Sequence, residues 1–150
     1  MDCTRHILEN IRQTYKNDDK PIDQLYHKML KAVFRYDTDQ KPVAYASRAA
    51  LDMANKMNVN LAHEDWHSQN HFDPGRKIFH YEHCNPISVL ADQVLKSQKP
   101  IPEIIDDNVV CWILKSEDKK LNENGYKSGR PGGWKRCYHN CNIEPIQINQ

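Results

Sequence analysis

The run Phe79-His80-Tyr81-Glu82-His83-Cys84-Asn85-Pro86 sets a carboxylate directly beside a histidine, with a proline three residues after that histidine. Downstream, Asn108 opens an apolar run, and Glu117-Asp118-Lys119-Lys120 follows it. These residue types suffice for one metal site with one general base beside it. Carboxylate oxygens hold hard divalent ions that keep most of their water shell. Such an ion offsets phosphate charge and assists a departing oxygen. A neutral imidazole near its ordinary pKa of ~6.5 accepts a proton from water. The set is the minimum equipment for metal-assisted phosphodiester cleavage.

The surrounding elements must bring these groups together. Residues 4–16, 22–35 and 45–57 carry apolar residues at helical spacing, which predicts a helical front section of about three helices. Ser47 is a reasonable cap within the third, and Pro21 suits the start of the second. Asp73-Pro74-Gly75 marks a turn. Residues 76–82 then alternate as a strand, with His80 and Glu82 on one side and Phe79 and Tyr81 on the other. A short helix is expected over 86–97, broken by Pro100 and Pro102, and a second strand over 109–114. Ser116 is placed to cap a helix that begins at Glu117 and stops near Asn124-Gly125. The tail from Tyr126 is rich in Gly and Pro, with Trp134 and Tyr138 as packing anchors. The expected class is α+β in a single domain over 1–150: a helical section at 1–70, a strand–strand–helix core at 76–125, and an extension at 126–150 packed on that core.

Strand, Glu-His, x-x-Pro, an Asn opening a second strand, and a closing helix resemble the HNH nucleases, also called His-Me finger or ββα-metal nucleases. The nearest pattern is the HNH domain of RNA-guided CRISPR nucleases, with Glu82-His83-Cys84-Asn85-Pro86 and Asn108 through Lys119 carrying the likeness. It covers roughly residues 76–125 and does not reach residues 1–70. The resemblance implies a ββα-metal fold and a Mg²⁺- or Mn²⁺-dependent endonuclease of the restriction or phage-related kind, acting on double-stranded DNA. Under it, His83 is the general base, Glu82 and Glu117 hold the ion, and Asn108 pins the loop that carries His83. His80, Asp118 and Asn122 are the alternative ligands. The family commonly has Asp where Glu82 stands, and Asn or His where Glu117 stands. Adjacent strand residues point to opposite sides, so a strand end or bulge at His83 is needed to bring both side chains to one site.

Net charge is +1, so the whole molecule is no electrostatic attractant for nucleic acid. Local cations are the expected phosphate contacts: Arg76 and Lys77 before the first strand, Lys119 and Lys120 on the helix, and Lys127 and Arg130 in an acid-free stretch. A homodimer is the simple arrangement for cutting both strands of a duplex. No apolar run approaches the ~20 residues of a membrane span, and the N-terminus lacks a signal-peptide pattern. Cytoplasmic placement is the expectation. Five cysteines argue against a disulfide framework.

Three rival readings remain. Cys137 and Cys141, with His139 and Cys111, offer a structural zinc set, although their Cys-x-x-x-Cys spacing has no matching second pair. His80-Tyr81-Glu82 satisfies the His-x-Glu element of zinc deaminases, but the Pro-Cys-x-x-Cys partner is absent. The third is a non-catalytic DNA-binding or interaction module on a degenerate nuclease fold.

Overall fold

A computed structural model describes residues 2–16 and 20–149. In chain order the elements are α1 (Cys3–Thr14), α2 (Lys20–Asp39), β1 (Tyr45–Ser47), α3 (Arg48–Lys56), a 3₁₀ turn (Leu61–His63), α4 (Gln69–Phe72), β2 (Phe79–His83), α5 (Ile87–Lys96), α6 (Ile101–Asp106), β3 (Val110–Leu114), α7 (Lys115–Glu123), α8 (Trp134–Asn140) and β4 (Pro145–Gln147). The class is α+β, as expected. The polar break between the first two helices falls partly on residues 17–19, outside the described residues.

Four strands form one sheet in the order β2-β3-β1-β4. β2 and β3 are antiparallel, with Phe79 opposite Leu114, Glu82 opposite Cys111 and His83 opposite Val110. The sheet is wider than the expected pair of strands. Residues 45–47 were expected to be helical, but they form β1, parallel to β3. Ser47 explains the boundary, because its hydroxyl accepts the Ala50 N–H at 3.0 Å and caps α3. β4 pairs antiparallel with β1 and has no counterpart in the sequence reading.

Asp73 starts β2. Its buried carboxylate accepts the backbone N–H groups of Lys77, Ile78 and Phe79 at 2.9–3.2 Å. Gln69 Nε2 donates to it at 3.1 Å. The turn closes through Arg76 N–H to Asp73 O at 2.8 Å, with Gly75 (φ 74°) and Arg76 (φ 52°) both left-handed. Gly accepts that conformation without strain.

Three apolar clusters follow. Leu8, Ile11, Leu30, Phe34, Leu90, Val94 and Ile104 join α1, α2, α5 and α6. One sheet face packs Phe79, Val110 and Trp112 against Ala50, Ala54 and Leu61. The other face packs Cys111 and Ile113 against Leu121, Tyr138 and Ile143. The β2–β3 connection is therefore not a loop beside a separate helical section: its helices α5 and α6 pack with α1 and α2. Arg12 fastens α1 to α5 by donating to the Val94 and Gln93 carbonyls at 2.8 and 3.1 Å. The helix expected over 86–97 does end before the prolines, at Lys96. Pro100 and Pro102 then open α6, Pro102 lying in its first turn, where a missing N–H costs nothing.

Candidate metal centre

α7 follows β3 directly, and both lie against β2, so strand, strand and helix meet at the β2 edge of the sheet. His80 and Glu82 are two apart on β2 and share the face covered by α7. Asp118 reaches them from the first turn of α7. His80 Nε2 lies 2.9 Å from Glu82 Oε2 and 3.7 Å from Asp118 Oδ1. One ligand atom from each residue falls within 4.8 Å of the others, the one such group of His, Cys, Asp and Glu among the described residues. Glu82 is largely buried, and His80 and Asp118 remain partly open to solvent.

Two cations complete the group. Arg130 Nη2 sits 2.5 Å from Glu82 Oε1, and its side chain is only 4 % exposed. Its duty is to offset a buried carboxylate, so its expected role as a DNA-phosphate contact is corrected. Lys115 Nζ lies 3.3 Å from His80 Nδ1. Since an ammonium can only donate, Nδ1 accepts and the ring proton sits on Nε2, facing Glu82. Sequence reading missed Lys115 altogether. Its signal was weak, a lysine at the strand–helix junction one turn before Asp118.

Glu117 was expected to hold the ion, and the structure corrects this. Its carboxylate is buried and faces inward, accepting the Ser47 hydroxyl at 2.6 Å and the Leu114 N–H at 2.9 Å. It ties the start of α7 to the β1–α3 junction. Asn122 is exposed one turn beyond Asp118 and outside the group.

His83 was expected beside Glu82 as general base, and this too is corrected. β2 stays in register through His83 with no bulge, so alternation sends the imidazole to the opposite face. There it packs edge-on to Tyr81 and lines a cavity with Arg35, Asp39 and Trp66. Burial pulls its pKa below the ordinary histidine value, which the Glu82 charge partly opposes. Asn108 also favours the charged ring, although Nδ1 makes no hydrogen bond of good geometry and is sealed from solvent. Asn108 itself is buried and donates to Phe34 O at 3.0 Å, Asp37 Oδ2 at 2.8 Å and Thr38 Oγ1 at 3.1 Å. It anchors the start of β3 to the end of α2. The loop after His83 is held instead by Asn85 Nδ2 on Asp107 O at 2.8 Å and by Cys84 N–H on Val109 O at 3.0 Å.

The remaining cations are scattered. Arg76 covers the Trp66 ring at 3.5 Å. Lys77 is exposed beside the Gly75 turn. Lys119, Lys120 and Lys127 are exposed, with Lys119 3.7 Å from Glu123. The zinc set is not assembled. Cys137 and Cys141 are buried, their thiols accounted for by the Pro131 and Lys120 carbonyls at 3.5 and 3.8 Å, while His139 is exposed. Burial raises the thiol pKa of Cys111, Cys137 and Cys141.

No helix among the described residues is long and apolar enough to cross a membrane. No protein-family model, no curated protein and no solved structure matches this chain.

Proposed function

We propose that the protein is a metal-dependent DNA endonuclease whose divalent ion, Mg²⁺ or Mn²⁺, is held by Glu82, Asp118 and His80. One observation carries this reading: two carboxylates and an imidazole converge within 4.8 Å on a strand–strand–helix frame, partly open to solvent. The donor set fits a hard or borderline ion, since two carboxylates and one imidazole suit Mg²⁺ and Mn²⁺. Glu82 Oε1 is already paired with Arg130, so its Oε2 is the oxygen that faces the site. When bound, the ion supplies charge neutralisation at the phosphate and acidifies water. As a ligand, His80 presents a proton-free Nε2 and keeps its proton on Nδ1, which releases Lys115 to meet a phosphate. Lys119 and Lys120, on the same helix as Asp118, are the further phosphate contacts. His83 has no part in this site.

A homodimer belongs to the same proposal. Ile22, Leu25, Met29 and Tyr36 are 43–56 % exposed on α2, an apolar stripe that the fold of one chain leaves uncovered.

The second reading is a non-catalytic DNA-binding or interaction module. It is favoured by the Arg130–Glu82 contact, which leaves one of the two acids charge-compensated without an ion. Mn²⁺ titration with plasmid cleavage separates the two. Under the endonuclease reading, the wild type binds Mn²⁺ and cuts, Asp118→Ala and His80→Ala lose both, and His83→Ala still binds Mn²⁺. A wild type that binds duplex but takes up no Mn²⁺ leaves the second reading.

A further inference from the structure

On the opposite face of β2 from His80 and Glu82, a cavity of about 350 Å³ is lined by Arg35, Thr38, Asp39, Trp66, Tyr81 and His83. We propose that it is a nucleotide pocket, holding one unpaired base against Trp66 and Tyr81 with the attached phosphate at Arg35. The inference rests on the nucleic-acid reading for its ligand class and goes beyond it in assigning a second site.

The volume lies in the range of small-ligand sites, and so does the lining: aromatic walls with a few convergent polar groups. Trp66 is 44 % exposed, high for a tryptophan in a chain of this size. Its ring is also held in place. The Arg76 guanidinium lies 3.5 Å from the ring centroid, and Arg76 Nη2 donates to the Trp66 carbonyl at 3.0 Å. A fixed, exposed indole is a stacking platform that loses little entropy when a ring settles on it. Tyr81 is fixed in the same way, edge-on to Trp112 at 5.0 Å between centroids.

The polar groups are of both kinds. Arg35 supplies a cation, Asp39 a carboxylate acceptor 3.4 Å from His67 Nε2, and His83 a half-buried imidazole. Base edges carry donors and acceptors together, and the phosphate carries the anion, so a nucleotide uses every part of this lining. Inorganic phosphate leaves the aromatic walls idle, and a purely apolar ligand leaves the Arg35 charge unmet.

The test is direct titration of metal-free protein with AMP, adenosine and inorganic phosphate, followed by calorimetry and by amide chemical shifts. AMP is expected to bind saturably, adenosine more weakly, and phosphate alone without saturation. Trp66→Ala should weaken AMP by about tenfold or more, since stacking on an aromatic ring is worth ~1–3 kcal/mol per base. Arg35→Ala should lower AMP to the level of adenosine and leave adenosine unchanged. Both side chains are exposed, so these variants keep their fold, and an unchanged melting curve verifies it. Absence of saturable AMP binding, phosphate binding as tight as AMP, or wild-type affinity in both variants overturns the pocket. Metal-dependent cleavage without AMP binding removes the pocket alone. AMP binding without cleavage or Mn²⁺ uptake removes the metal centre alone.

Discussion

Glu117 and Asp118 are adjacent acids with opposite surroundings, and the difference is measurable. Glu117 is buried and holds the Ser47 hydroxyl and the Leu114 N–H. Removing it strands two donors, so Glu117→Ala should cost about 2–4 kcal/mol in denaturant unfolding. Metal affinity of the variant that remains folded should not change. Asp118 is partly exposed and makes no hydrogen bond that the fold depends on. Asp118→Ala should change stability by less than about 1 kcal/mol and weaken Mn²⁺ binding by at least about tenfold. The reverse pattern would return the ligand role to Glu117. Strand parity was legible here: His80 and Glu82 had to share a face, and they do. The role of His83 was not legible, because it turned on whether β2 bulges at its end, and register comes from pairing with β3 rather than from residue type. Nor did any local signal mark Arg130 as the partner of Glu82, 48 residues away.

Two contacts fix how elements meet. Asp73 sets the start of β2, and with it the position of His80 and Glu82. Burial works against its charge, but hydrogen bonds from Phe79, Gln69, Ile78 and Lys77 outweigh burial and hold its pKa below the ordinary 3.8. Asp73→Ala should therefore cost about 2–4 kcal/mol. The wild-type contribution is present above pH 3.8 and is lost as pH falls through the lower folded value. The second contact joins α2 to α5. His27 Nε2 lies 2.7 Å from Asp92 Oδ1, and Nδ1 lies 2.9 Å from Asp23 O. The bond to Asp92 chiefly raises the His27 pKa above 6.5. A raised folded value stabilises fully below pH 6.5 and is lost as pH rises through that value. Melting temperature should fall over that window, and Asp92→Asn should flatten the decline; an equal slope in both proteins would exclude the pair as its source. At this scale the long elements were readable, since α1, α2, α5, β2, β3 and α7 carry clear periodicity and stops. β1 and β4, of three residues each, were not. Their pairing supplies the order that such short segments lack, and the alanines around residue 46 mimic a helix face.

For the whole molecule, a homodimer was the expected arrangement, and α2 offers a surface for it. Ile22, Leu25, Met29, Ala32 and Tyr36 are exposed and spaced 3, 4, 3 and 4 apart, the seam of a packed helix pair. Met29 lies seven residues from each end of the stripe. An antiparallel two-fold pairing therefore sets Met29 against its own copy and Ile22 against Tyr36. Lys28, Lys31 and Arg35 flank the stripe, so the same pairing brings like charges toward one another. Association driven by apolar burial and opposed by that repulsion should strengthen as salt rises through the physiological range, where charges more than ~8 Å apart are screened. Sedimentation of the wild type should show a dimer that tightens with salt. Met29→Glu places two carboxylates at the two-fold axis and should weaken association at least tenfold. Its Mn²⁺ affinity should stay at the wild-type value, since α2 contributes no residue to the His80–Glu82–Asp118 group. A wild type that sediments as a monomer at every salt concentration would exclude this pairing.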